Sequence, residues 1–126
     1  QFNIQFPSPL PILHEWMGPG KKIQYNERLL KVVRKLRKMG LRTAIMTNNY
    51  KFDRDGMKIR TPIDSSLFDV IVESVHEECM KPDFIFYEKT QSRLGHDIEP
   101  HQCIFLDDLK VNCHAGDRFG WTTIHV

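Results

Sequence analysis

The sequence predicts an α/β fold, a Rossmann-like parallel sheet with flanking helices. Three observations carry that expectation. Amphipathic segments, apolar at three- and four-residue spacing, alternate along the chain with short runs of consecutive apolar residues. Those runs are too short for helices and too apolar for half-exposed strands, which suits strands covered on both faces. Two of the runs end in polar clusters, Thr47-Asn48-Asn49 and Asp107-Asp108. In open parallel sheets, ligands bind beyond the carboxyl ends of the strands.

Residues 1–22 hold Pro7, Pro9, Pro11, Pro19, Gly18 and Gly20 and read as irregular. From Asn26 the pattern becomes helical: Leu29, Leu30, Val32, Val33, Leu36 and Met39 recur with Lys and Arg between them. Asn26 suits an N-cap and Gly40 a C-terminal stop. Ala44-Ile45-Met46 then predicts a buried strand, and residues 50–66 a loop or short helix. "FDVIVES", Phe68–Ser74, is a second buried strand. "KPDFIFYEKTQSRLG" predicts a second helix, with Pro82 in a first-turn position. "CIFLDD" is the third strand, residues 109–119 the third helix and "WTTIHV" the fourth strand. Helix, strand, loop, strand, helix, strand, helix, strand is the order of right-handed parallel crossovers. The expected division is an irregular segment at 1–22 and one folded core at 23–126.

Composition narrows the function classes. The chain has 126 residues, 40% hydrophobic and 27% charged, with net charge +2. That is one domain's worth. The charge is too small to argue for nucleic acid, and no apolar run reaches the ~20 residues of a membrane span. The basic run Lys31, Arg34, Lys35, Arg37, Lys38, Arg42 reads as a solvated helix face. Three cysteines without a CxxC, one of them opening an apolar strand, indicate a reduced intracellular protein, cytoplasmic or organellar. His14-Glu15 begins like HExxH, but Gly18 takes the second His position, so zinc is not expected. The chain opens on Gln1, without a basic-then-apolar leader, and is expected to be a segment of a longer or processed product.

Asp107 and Asp108 are two like charges at the end of an apolar strand, costly unless a cation sits against them. Paired carboxylates with no nearby Cys or His in sequence favour a hard cation, Mg²⁺ before Ca²⁺. Lys81, at the start of the helix after the second strand, reaches the same rim as a point charge for a phosphoryl group. The Thr47 hydroxyl and free N–H groups at a strand-to-helix turn suit phosphate oxygens. Singly, Thr47 also reads as a turn residue, Lys81 as a surface lysine, and one Asp as a cap for the helix after it. Together they describe a phosphoryl-transfer pocket, where positioning and charge neutralisation do most of the catalysis.

"AIMTNN", "MKPDFIFYEKTQSRLG" and "CIFLDDLKVNCHAGDRFGW" resemble, in order, the second, third and fourth signature motifs of the haloacid dehalogenase-like hydrolase superfamily. The likeness covers about residues 26–126. It is greatest to the phosphatase domain of soluble epoxide hydrolase and the similar domain of acyl-CoA dehydrogenase family member proteins, through "TNNY", "FDVIVES" and "FLDDL". The resemblance implies that Thr47 and Asn48 bind the transferred phosphoryl group and that Lys81 bridges it to a nucleophilic carboxylate. It implies Asp108 as the Mg²⁺ ligand, Asp107 behind it or paired to Lys81, and Asn112 in support one turn later. Gly116 stands where relatives usually have Ala, which predicts a helix weaker by up to ~1 kcal/mol.

One part of that pattern is missing. The family's first motif is an apolar strand ending in DxDxT or DxDxV, whose first Asp is the nucleophile. No Asp precedes Asp53 in this sequence, and Asp53-Arg54-Asp55 follows no apolar strand. The resemblance therefore implies a core fragment without its central first strand and most of its cap, with residues 1–22 a candidate cap remnant. The expectation is a Mg²⁺-dependent phosphate-ester hydrolase in the parent protein, acting on a small phosphorylated substrate, with this segment inactive alone. Further domains of a longer chain are the other expected partners, with no nucleic acid and no membrane. The alternative is a nucleophile-less binding or regulatory module. A phosphoacceptor receiver domain carries its acidic pair first and its Lys last, the reverse of the order here. Dehalogenation, which uses the same scaffold, needs no metal-binding acidic pair.

Overall fold

The computed structural model describes residues 26–49 and 63–126. The irregular segment expected at 1–22, and Asp53-Arg54-Asp55 within the expected loop, lie outside the described residues.

Helix α1 spans Glu27–Lys38. The Asn26 side chain caps it by accepting the N–H groups of Arg28 and Leu29 at 3.1 and 3.2 Å. Glu27 lies in the first turn and Lys35, Arg37 and Lys38 in the last, which complements the helix dipole. Gly40, at φ +84°, turns the chain out of it. Lys31, Arg34, Lys35 and Lys38 are exposed. Arg37 instead bonds the Ser66 carbonyl and Asp69, and Arg42 bonds Asp97 and the Leu94 carbonyl.

Strand β1 (Ala44–Thr47) pairs in parallel with β2 (Val70–Glu73), Ala44 opposite Val70. A one-turn helix that the sequence did not announce, α2 (Ser74–Glu77), follows directly. Helix α3 is Phe84–Leu94, capped at Asp83, so Pro82 lies just before the cap and not in the first turn. A 3₁₀ turn at Pro100–Gln102 leads into β3 (Ile104–Asp107). Helix α4 (Lys110–Phe119) ends at Gly120, φ +103°, and returns the chain to β4 (Thr122–His125), parallel to β3. Among the described residues, no helix is long and apolar enough to cross a membrane.

The strands form two two-stranded sheets, β1–β2 and β3–β4, and among the described residues no strand joins them. Helices α3 and α4 pack against each other; α3 lies on the first sheet and α4 on the second. Between them sits a cluster of Tyr87, Phe105 and Trp121, with Met46, Cys103, Ala115 and Phe119 around it. Tyr87 meets Phe105 edge-on, ring centroids 5.8 Å apart. Gly116 is buried where α4 crosses the strands: a Cβ there would stand 2.8 Å from Thr123 Cγ2 and 3.2 Å from Phe105 Cδ1. Its missing methyl lets the helix approach, a packing reason that helix propensity alone did not show.

The expectation of buried strands needs correction: in β1 Ala44 is exposed and Ile45 and Met46 are half-buried, and in β2 only Val72 is buried. β3 is buried on one face only. Phe105 and Asp107 are buried, but Ile104 and Leu106 are 65% and 49% exposed. The helices α3 and α4 cover the first face, and no described element hides the second.

Candidate active site

Three loops after strands meet at Lys81. Asn48, just past β1, clamps its main chain: the Asn48 side chain accepts the Lys81 N–H at 2.8 Å and donates to the Lys81 carbonyl at 2.8 Å. The Lys81 ammonium then donates to Asp107 Oδ2, at the end of β3, at 2.6 Å. The side chains of this pair are only 12% and 3% exposed. Lys81 Nζ also lies 5.6 Å from the centre of the Phe105 ring.

Asp107 has no idle oxygen. Its Oδ1 accepts the Leu109 N–H and the Asn112 Nδ2–H, each at 2.9 Å. Asn112 is fixed in turn, because Tyr87 Oη donates to its carbonyl at 2.8 Å. Burial pushes the Tyr87 phenol far up, so it stays a neutral donor. Burial alone would raise the Asp107 carboxyl as well; the bonds from Lys81, Leu109 N–H and Asn112 outweigh it and hold the group below its ordinary value. Asp107 is therefore a charged structural acceptor. It caps no helix in the usual sense, since α4 has its N-cap at Leu109 with no side-chain bond.

Asp108 and Thr47 behave differently. Asp108 is exposed, and its main-chain carbonyl lies 3.0 Å from His125 Nε2. Thr47, half-buried, ends β1 one residue before the Asn48 clamp. Neither the Asp108 carboxylate nor the Thr47 hydroxyl bonds another described residue. The Asn48 side chain, expected to bind a phosphoryl group, is instead engaged on the Lys81 main chain. Of the expected set, Asn48, Lys81, Asp107 and Asn112 form one bonded chain, while Thr47 and Asp108 stand beside it unshared.

Sequence reasoning missed a second link at this rim. Asn49, 4% exposed, donates to Glu73 Oε1 at 2.7 Å, and Ser74 Oγ donates to the Asn49 carbonyl at 2.7 Å. It ties the end of β1 to the end of β2. The signal was a second Asn in the turn cluster facing an acid at the next strand end.

Among the described residues, no group of three His, Cys, Asp or Glu side chains could hold a metal ion. Asp108 is the carboxylate with oxygens to spare. Mg²⁺ commonly takes only one or two carboxylates, then waters and phosphate oxygens. The residues present fit half of such a seat.

The profile described as "Hydrolase: haloacid dehalogenase-like hydrolase" matches residues 20–120, most of the chain. The chain belongs to the haloacid dehalogenase-like hydrolase family. It is 35% identical over 98 residues to mouse acyl-CoA dehydrogenase family member 10, covering 78% of this chain and 9% of that protein. It is 32% identical over 127 residues to pig bifunctional epoxide hydrolase 2, covering 98% of this chain and 22% of the relative. The chain thus spans less than a quarter of the length of these relatives. Among solved structures, a Corynebacterium glutamicum protein described as uncharacterized superposes with a TM-score of 0.66 at 17% identity, covering 86% of this chain and 80% of its own. A predicted HAD-like family hydrolase from Porphyromonas gingivalis gives 0.59 at 18% identity, covering 91% and 63%. At those identities the structures speak for the α/β fold alone.

Proposed function

We propose that this haloacid dehalogenase-like chain carries the cation-binding and phosphoryl-binding half of a Mg²⁺-dependent phosphate-ester hydrolase, and that it is inactive by itself. The observation that supports this most is the buried Lys81–Asp107 pair at 2.6 Å, on the same rim as the unshared Thr47 hydroxyl and Asp108 carboxylate. An ammonium has three donors. Asp107 takes one, and the others are available to a phosphoryl oxygen and to an attacking carboxylate. Thr47 donates to a second phosphoryl oxygen, and the Asn48 N–H to a third. Asp108 would hold Mg²⁺, which supplies charge neutralisation at the phosphoryl group. The pair keeps Lys81 charged and aimed before any substrate arrives, the preorganisation that electrostatic catalysis requires.

The attacking carboxylate is not among these residues. In the proposal it comes from polypeptide outside the 126 residues, on a DxDxT or DxDxV segment. The test is hydrolysis of p-nitrophenyl phosphate with Mg²⁺ by the protein encoded by the parent transcript. Asp108→Ala and Thr47→Ala should each lower kcat by about a hundredfold or more. Turnover by the purified 126-residue chain that Asp108→Ala abolishes would show that it is not an inactive half. A parent transcript lacking that motif would favour the binding or regulatory module, a role to which the wholly structural use of Asp107 and Asn112 is equally suited.

A further inference from the structure

Helix α1 carries apolar side chains enough for two faces, yet of its 12 residues only Leu30 is buried. Leu30, half-buried Val33 and Arg37, which bonds Ser66 and Asp69, mark the face turned to the rest of the molecule. Leu29, Val32, Leu36 and Met39 fall on a second line, about a third of a turn away. Leu29, Val32 and Met39 are 52%, 51% and 66% exposed. Their spacing is that of the a and d positions of a coiled coil, a seam ~15 Å long. Arg28 and Lys35 take the g positions beside it, Lys31, Arg34 and Lys38 lie farther round, and all five are exposed. Glu27 is the helix's one acidic residue. Past Met39 the seam opens on a shallow cleft of about 400 Å³ lined by Arg37, Lys38, Gly40, Leu41, Arg42 and Asp69. Arg37 is paired to Asp69 and Arg42 to Asp97, which leaves Lys38 the open cation there beside exposed Leu41.

We propose that this seam docks one amphipathic helix of a partner protein, apolar along its own seam and carrying Glu or Asp beside it. Charge selects the occupant. A second copy would bring its own basic helix against this one, like charge on like. The chain's other stretches supply no excess of acid either. Residues 1–25 hold Glu15 against Lys21 and Lys22, and residues 50–62 hold Asp53 and Asp55 against Lys51, Arg54, Lys58 and Arg60. An anionic membrane would meet the charge, but a helix lying in a lipid surface presents a broad apolar face. Here the exposed apolar residues form a single line, the width that one partner helix covers. The partner's acids pair with Arg28 and Lys35, and an acid at its end reaches Lys38 in the cleft.

The seam needs neither phosphate nor metal, so its test stands apart from the hydrolase reading. The ¹⁵N-labelled 126-residue chain is titrated with a designed helical peptide that has Leu at every a and d position and Glu at every e and g position. The same titration is run on the protein encoded by the parent transcript. Amide shifts should saturate and concentrate at Leu29, Val32, Leu36 and Met39, and binding should weaken in high salt. The peptide with Lys in place of Glu should bind about tenfold more weakly or not at all. Arg28→Glu combined with Lys35→Glu, both on the exposed side of the helix, should reverse that preference. A reversed preference cannot come from a variant that has merely unfolded. Equal binding of the two peptides, a preference the variant leaves unreversed, shifts away from the seam, or no binding to either protein overturns the proposal. So does occupation by another surface in the peptide's place: dimerisation of the chain through the seam, or binding to phosphatidylserine vesicles.

Discussion

Replacing Lys81 by Met keeps most of the side chain's volume and removes its ammonium. The carboxylate it leaves behind, Asp107, has a side chain only 3% exposed. Removing one partner of a buried ion pair costs ~3–5 kcal/mol, mostly because the other charge stays buried and unpaired. Here Asp107 keeps two donors, Leu109 N–H and Asn112 Nδ2. Bonds to a charged group contribute ~1.5–3 kcal/mol each, so the loss should fall at the low end of the buried-pair range, about 3 kcal/mol. Urea denaturation followed by far-UV circular dichroism at pH 7 measures it. The pH dependence has a definite sign. Asp107 is held below its ordinary pKa, so its contribution is present above the unfolded carboxylate value of ~3.9 and is lost as pH falls through the lower folded value. The gap between the parent chain and Lys81→Met should therefore narrow in acid. Adding Asp107→Asn to Lys81→Met, which discharges the stranded group, should recover part of the loss at pH 7. A change below about 0.5 kcal/mol at pH 7, the scatter of ordinary surface substitutions, or a gap that widens in acid, would refute the buried-pair account.

Asp108→Ala, by contrast, should shift stability by less than ~0.5 kcal/mol, while Mg²⁺-induced NMR shifts at the Asp108 and Leu109 amides disappear. Gly116→Ala should lower Tm despite gaining up to ~1 kcal/mol in helix propensity. The new Cβ would stand 2.8 Å from Thr123 Cγ2, and overpacking costs ~1–3 kcal/mol. Asp69→Ala should cost ~1–3 kcal/mol, since it strips the Thr43 N–H and hydroxyl of their acceptor at 2.8 and 2.9 Å. Arg37→Ala removes only the exposed side of the same cluster and should cost under ~1 kcal/mol in thermal melts.

Helices and strand order were legible in the sequence because periodicity and punctuation record them directly. Asn26, Gly40 and Gly120 mark ends that the backbone respects. What was not legible depends on neighbours distant in sequence. Ile104 and Leu106 sit in an apolar run like that of any buried strand; only the packing shows that one face is uncovered. Asn48 looked like a phosphate ligand, and nothing local announces that its amide holds the Lys81 main chain, 33 residues away. The one-turn α2 follows β2 without a loop, and its Ser74 is recruited by Asn49 across the sheet, so no local stop signal separated it from the strand. The acidic pair was legible as a pair. Its division into one buried acid paired to Lys81 and one open acid came only through the family resemblance, because nothing in the local residues separates the two.

That division bears on how sequence drift in such a protein is to be interpreted. Lys81, Asp107, Asn48 and Asn112 hold the two halves of the molecule together whether or not any reaction occurs. On the proposed function, a descendant that had stopped turning over substrate would still lose stability if it lost them, so their persistence is no record of activity. Thr47 and Asp108 support nothing else among the described residues, and they are free to drift as soon as the chemistry stops mattering. A genetic survey that asks whether this protein still works should count changes at those two positions and give little weight to the lysine.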